Sequence, residues 1–135
     1  MKGVGGGVFS MVKRILVLGS SQVAVEKLRE AAGELQIPGG LLDFITEYRC
    51  AKNYDYRKLK NSVVYSDVLV GPLPHKVRKA DTGRGSSFIA QAELHPEVFP
   101  HLVELRSGRE LKITRHSFLE GLKQTVLYRE LTTRS

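Results

Sequence analysis

The sequence predicts an α/β fold, a Rossmann-like three-layer sandwich in which helices cover both faces of a mainly parallel sheet. Residues 14–18 and the second half of 65–70 are continuous apolar runs, which are typical of central parallel strands that are buried on both faces. Helical patterns alternate with these strands along the chain. A chain of 135 residues is most simply one domain, and it is long enough to bury a core without a disulfide or a metal.

The first strand and helix occupy residues 14–40. The apolar run ends at Gly19, and either Ser20 or Ser21 can cap the helix that follows. Spacings of four and three residues place an apolar stripe on this helix, formed by Ala24, Leu28, Ala31 and Leu35. The Pro-Gly-Gly sequence at residues 38–40 ends the helix.

The middle of the chain contains two further strands. We expect the second strand at residues 41–48 and the third at 65–70. A short helix between them, within residues 53–62, would begin at Asp55 as its cap. Another short helix is expected at residues 88–93.

The last third of the chain predicts a hairpin followed by a helix. For residues 102–113 we favour a three-residue turn at 107–109, because it pairs Leu105 with Leu111 and acids with bases. Residues 117–120 have a capping-box pattern, which predicts one continuous helix that carries Leu122, Val126 and Leu127 on one face. Right-handed crossovers, together with a switch in direction after strand one, then give the strand order 2-1-3, with the hairpin on the strand-three side.

The ends of the chain and its single cysteine indicate the limits of the domain and the absence of an internal disulfide. Residues 1–10 are rich in glycine and predict a disordered extension; residues 11–131 form the domain, and 132–135 a frayed tail. Cys50 rules out an internal disulfide, and we expect it to be a half-buried structural thiol. With no signal peptide or membrane-length apolar run, the sequence indicates a cytoplasmic protein without a membrane partner.

Residues 71–87 have the composition of a ligand-binding loop. This segment lies between a predicted strand and a predicted helix, and it contains two prolines, three glycines, one histidine, four basic side chains and two adjacent serines. A segment that only connects two elements is usually shorter. Because Asp81 is the only acid among these residues, the composition favours an anionic ligand.

The predicted strand order brings two loops together. In such a sheet a ligand binds beyond the carboxyl ends of the strands, at the switch point between strands one and three. Residues 19–21 and 71–87 meet there. The predicted ligand-binding residues are Gly19, Ser20, Ser21, Gly71, Pro74, His75, Lys76, Arg78, Arg84, Ser86 and Ser87.

These residue types suit a phosphate group. Gly19 allows close approach of a backbone, and Ser20 and Ser21 would offer hydroxyl and amide donors at a helix N-terminus, as would the serines at 86 and 87. An ordinary turn with a helix cap explains residues 19–21 equally well.

The rest of the loop supplies charge and stiffness. Lys76, Arg78 and Arg84 would attract and grip phosphate, while Pro74 stiffens the loop. A solvated basic loop would have the same composition. His75 has three open interpretations, as a surface residue, a ligand contact or a general base, because no spaced partner completes a catalytic unit.

Several sharper motifs are absent from the sequence. It has no P-loop and no zinc-ligand spacing, so we expect no metal and assign no cofactor. We predict a binding domain for a phosphorylated ligand, such as a nucleotide or a nucleotide-derived signal, that pairs as a homodimer. Two alternatives remain open. The net charge of +7 permits a nucleic-acid binder, and His75 permits a small hydrolase or transferase that acts on a nucleotide or phosphodiester.

Overall fold

A computed structural model describes residues 13–47, 49–50, 54–73 and 88–133, and within them the predicted α/β fold is confirmed. A parallel sheet has the order β2-β1-β3-β4. Its strands are β1 (Arg14–Leu18), β2 (Leu42–Ile45), β3 (Tyr65–Val70) and β4 (His101–Glu104). A separate antiparallel pair consists of β5 (Arg106–Ser107) and β6 (Glu110–Leu111). The predicted extension at residues 1–10 lies outside the described residues.

Helices cover both faces of this sheet. The α-helices are α1 (Val25–Glu34), α2 (Phe88–Leu94), α3 (Arg115–Leu122) and α4 (Val126–Thr133), and 3₁₀ turns occur at Gly39–Leu41 and Tyr56–Leu59. As predicted, Asp55 caps the second turn, where its carboxylate accepts a hydrogen bond of 3.1 Å from the Arg57 amide.

The alternation of side chains along β1 divides the core into two layers. Ile15 and Val17 belong to the layer formed with α1, α3 and α4, which includes Phe118. Leu16 and Leu18 belong to the opposite layer, which includes Leu59. The continuous apolar sequence of β1 therefore reflects a strand that is covered on both faces.

A bulge at the start of β3 changes the face to which one side chain points. Arg14 pairs with Tyr65 and the next residue, Ile15, pairs with Asp67, so that Ser66 is an additional residue on β3. Tyr65 thereby lies on the same face as Arg14 and Asp43, and its hydroxyl donates a hydrogen bond of 2.7 Å to Asp43. Asp67 lies on the other face and is fully buried there.

The predicted hairpin was wrong in its first strand and in its turn. His101–Glu104 is a parallel strand beside β3, and the Leu105 amide extends this pairing with a 2.8 Å hydrogen bond to Val70. The hairpin begins only at Arg106, which lies opposite Leu111, and its turn has two residues. Gly108 is the first of them, with φ of +66°, which is the conformation that a two-residue type II′ turn requires.

The predicted cap of the first helix was also wrong. The N-cap of α1 is Ala24, which has no side-chain cap. The Ser21 hydroxyl instead accepts a hydrogen bond from the Val23 amide at 3.0 Å and donates one to the Val23 carbonyl at 2.7 Å. This local turn occupies the serine before the helix begins.

The C-terminal helix is two helices rather than one. A capping box forms three residues earlier than predicted, between Thr114 and Ser117, and begins α3. The chain then breaks before α4, where the buried Thr125 hydroxyl accepts a hydrogen bond of 3.0 Å from the Tyr128 amide. The Asp67 carboxylate accepts the amides of Val126 and Leu127 at 2.8 and 3.1 Å. These acceptors stabilise a helix start where periodicity alone predicts a continuous helix.

Candidate ligand-binding site

The carboxyl ends of β1 and β3 meet as their order in the sheet predicts. Gly19 follows β1, Gly71 follows β3, and their backbones are in contact: a Cβ on Gly19 would lie 2.7 Å from the Gly71 carbonyl carbon. Gly19 has φ of +122°, which favours glycine. Among the predicted site residues, the structure thus brings Gly19, Ser20, Ser21 and Gly71 together at this edge of the sheet.

The amides of the loop after β1 are bonded within the protein. The Gly19 amide donates to the Ile45 carbonyl at 3.0 Å, and the Ser20 amide donates to the Pro72 carbonyl at 2.8 Å. Ser21 forms a parallel bridge with Ile113. Ser20 itself is exposed, so it is accessible from solvent.

Ile113 fills the crevice between the two strand ends. It is fully buried, and a Cβ on Gly71 would lie only 2.4 Å from its Cγ1 atom. Gly71 is therefore explained by the packing of a side chain from the same chain. The space at the switch point that other doubly wound folds leave for a ligand is narrowed here by Ile113.

A groove opens next to this closed crevice, between the end of β3 and the hairpin. Its volume is about 400 Å³, and it is lined by Pro72, Leu73, Arg106, Glu110 and Leu111. Its volume falls in the range of small-molecule sites. Pro72 and Leu73 are the first residues of the predicted ligand loop that follow Gly71.

Arg106 is held in place beside the groove. Its Nε and Nη2 atoms donate to Glu104 Oε1 at 3.3 and 3.2 Å, and its Nη1 atom donates to the Arg109 carbonyl at 2.6 Å. The side chain stays 43% exposed. The sequence did not predict that Arg106, Glu110 and Leu111 line this groove, because the groove depends on the hairpin register, which was predicted incorrectly.

The remaining predicted site residues lie outside the described residues. They are Pro74, His75, Lys76, Arg78, Arg84, Ser86 and Ser87. Their part in the site stays a prediction from the sequence.

The carboxyl end of β2 carries an exposed acid and the cysteine. The Cys50 thiol lies 3.6 Å from Glu47 Oε1 and is exposed, so the expectation of a half-buried thiol was wrong. Within the part of the chain that the structure describes, no three His, Cys, Asp or Glu side chains are grouped to hold a metal ion. None of the described helices is long and apolar enough to cross a membrane.

A charged cluster lies at the opposite, amino-terminal edge of the sheet. Hydrogen bonding from Arg14, which donates from Nε at 3.0 Å, lowers the pKa of Asp43, and the hydroxyl of Tyr65 adds to this effect. Burial, together with the hydrogen bond to Asp43, raises the pKa of Tyr65. This cluster joins the first residues of β1 and β3 to β2 and is remote from the groove, so we assign it to stability.

Comparison with known proteins adds no functional assignment. No protein-family model, curated protein or solved structure matches this chain.

Proposed function

We propose that this chain is a binding domain for a small phosphorylated ligand, a nucleotide or a nucleotide-derived signal, held at the carboxyl edge of the sheet. The observation that carries the proposal is the position of the groove. It opens beside Pro72 and Leu73, next to the switch point of a sheet with the order 2-1-3-4. Folds with this strand order bind ligands beyond the carboxyl ends of their central strands.

The composition of the following segment supports a phosphate as part of the ligand. Lys76 is three residues beyond Leu73, so the length of the chain keeps their Cα atoms within about 11 Å of each other. With Arg78 and Arg84, it gives the segment a positive charge that suits phosphate. We propose that Ser86, Ser87 and His75 complete these contacts, and that Pro74 limits the conformational freedom lost on binding.

The bonding of the loop after β1 changes the proposed arrangement. Because the amides of Gly19 and Ser20 are bonded to Ile45 and Pro72, they are not available to cradle an anion. We therefore propose that the segment after β3 holds the phosphate, with the Ser20 hydroxyl as an additional contact. Gly19 and Gly71 contribute by allowing the two strand ends to pack closely.

A thermal-shift titration tests this function. Purified protein is titrated with nucleoside monophosphates, diphosphates and cyclic nucleotides at two salt concentrations, and at least one is expected to raise the melting temperature. Replacement of both Lys76 and Arg84 by alanine should abolish this stabilisation. As a control that removes the same charge, Lys58→Ala with Arg129→Ala, both exposed elsewhere, should leave it unchanged.

Two results would count against the proposal. Stabilisation that survives the Lys76→Ala and Arg84→Ala replacements would exclude those residues from the site. Binding only to nucleic acid, with an affinity that falls steeply as salt rises, would favour the alternative of a nucleic-acid binder.

We further propose that the protein is cytoplasmic and forms a homodimer. β4 is an edge of the described sheet, and an edge strand offers backbone groups to a second copy. Analytical ultracentrifugation should give twice the mass of 15.1 kDa. A monomer at micromolar concentration would contradict the proposed dimer without affecting ligand binding.

A further inference from the structure

The groove beside the hairpin has a different character from a phosphate site. Pro72, Leu73 and Leu111 give it apolar walls, and its charged lining residues are the cation Arg106 and the acid Glu110. Arg106 and Leu111 are a directly opposed pair of the β5–β6 ribbon, so both side chains lie on the same face of the ribbon. A ligand group in this groove therefore meets an apolar surface and a guanidinium together.

The bonding of Arg106 decides how it can act. All three of its nitrogen atoms already donate, two to the Glu104 carboxylate and one to the Arg109 carbonyl. The carboxylate also compensates its charge, so Arg106 is poorly suited to grip a phosphate with paired hydrogen bonds. Besides one remaining N–H on each of Nη1 and Nη2, Arg106 offers the flat face of a guanidinium that three hydrogen bonds orient, and such faces stack on aromatic rings.

From this pairing we infer that the groove binds the planar base of the proposed nucleotide ligand, with Arg106 as a stacking platform and Leu111 as its apolar neighbour. This inference rests on the proposed function. It assigns a site to the base of the ligand, whereas Lys76, Arg78 and Arg84 are proposed to bind only its phosphate. A base presents a wide apolar face with a polar rim, which matches a groove of about 400 Å³ with walls of both kinds.

If Arg106 stacks on a base, its planar guanidinium is required and its charge alone is not sufficient. A lysine at this position keeps the positive charge and the proximity to Glu104 but has no planar face. If Arg106 only supplied charge, Arg106→Lys would bind ligands as the natural protein does. If Arg106 stacks on a base, Arg106→Lys loses the part of the binding affinity that comes from the base and keeps the part that comes from the phosphate.

The test compares three probes that share a ribose 5-phosphate group: two carry a base and the third has none. Binding of GMP, AMP and ribose 5-phosphate is measured by isothermal titration calorimetry with the full chain. We expect at least one nucleotide to bind about tenfold or more tightly than ribose 5-phosphate, in line with the usual contribution of base stacking. Arg106→Lys and Leu111→Ser should each bring the nucleotide close to the affinity of ribose 5-phosphate, whose own affinity should not change.

Matched variants guard against a loss of folding. Arg109→Lys makes the same chemical change at the adjacent hairpin turn, and Leu94→Ser makes the same change at an exposed leucine on α2; both should preserve the preference for the nucleotide. Melting temperatures are recorded for every variant, and the unchanged affinity for ribose 5-phosphate independently shows an intact site.

The possible outcomes separate this inference from the proposed function. Equal affinity for nucleotides and ribose 5-phosphate, or a preference that survives both Arg106→Lys and Leu111→Ser, would overturn the base site and leave phosphate binding intact. No binding of any of the three probes, nor of the wider nucleotide panel, would overturn both.

Discussion

The carboxylate of Asp67 accepts a hydrogen bond of 2.8 Å from the backbone amide of Val126, 59 residues further along the chain. Asp67 is fully buried on β3, and its second oxygen accepts the Leu127 amide and the Ser66 hydroxyl. A buried carboxylate thus begins α4 and ties it to the centre of the sheet. This contact explains why a carboxylate is buried next to the apolar second half of β3.

Replacing Asp67 by alanine should strongly destabilise the fold. The change leaves buried amides of α4 without their acceptor, at an expected cost of about 2–3 kcal/mol in the free energy of unfolding. Urea denaturation measures this loss. Asp67→Asn, which keeps one acceptor oxygen, should cost less. A stability equal to that of the natural protein in Asp67→Ala would refute the assigned role of this cap.

Replacing Gly71 by alanine should disturb the contact that closes the switch point. The new methyl group would meet Ile113 at 2.4 Å, and relief of this clash should cost about 1–3 kcal/mol. Ile113→Ala in the same chain removes both side-chain atoms that the new methyl group would meet, so the loss from Gly71→Ala should be smaller in that background, which a double-mutant cycle in denaturant would detect. Gly33→Ala is the control, because nothing lies within 4 Å of its added Cβ and a helical alanine should stabilise by about 0.5–1 kcal/mol. Additive losses at Gly71 and Ile113 would show that the two residues do not clash.

The contribution of Asp43 to stability should depend on pH at the acidic end. The Arg14 guanidinium holds the pKa of this carboxyl below the ordinary value of 3.8, so the folded state favours the ionised form. The resulting stabilisation is complete above that value and is lost as pH falls through the lower, folded pKa. Asp43→Asn should therefore be less stable than the natural protein at pH 6, and the difference should shrink below pH 3.8. A difference that stays constant with pH would contradict this assignment.

Tyr65 should produce the opposite dependence at the alkaline end. Burial raises its pKa above the ordinary value of 10.0, so the folded state favours the neutral phenol. Its contribution is present below pH 10.0 and is lost as pH rises through the folded pKa. At neutral pH, Tyr65→Phe should be less stable than the natural protein, because Asp43 loses a hydrogen bond. As the pH rises above 10.0, the natural protein should lose more stability than the variant, because phenylalanine has no phenol to ionise. Denaturant midpoints at pH 7 and pH 11 would reveal this, and parallel losses in the two proteins would exclude it.

The central strands could be predicted because their apolar sequences reflect their burial in the sheet. β1 and β3 have the predicted bounds, since burial on both faces requires apolar residues that no exposed element would carry. Their order in the sheet follows from right-handed crossovers combined with a reversal of direction after β1, and crossover handedness depends little on individual side chains. The meeting of Gly19 and Gly71 at one edge of the sheet is a consequence of that order.

The hairpin and the C-terminal helices depend on distant partners. His101–Glu104 pairs with β3 and is therefore part of the parallel sheet. The pairing of acids with bases along residues 102–113 favoured a longer hairpin instead. The break before Val126 is stabilised by Asp67 on β3. Neither partner can be identified by local periodicity, so the groove beside Arg106 could not be predicted either.

The most direct test of the central claim is a titration of isotope-labelled protein with GMP or AMP, followed through its backbone amide resonances. A nucleotide bound at the carboxyl edge should shift the amides of Gly19, Leu73 and Leu111, while those of Arg14 and Val64 at the amino edge should remain in place. Shifts confined to the amino edge, or no shifts at millimolar nucleotide across the panel, would contradict a phosphorylated-ligand site at the carboxyl ends of β1 and β3.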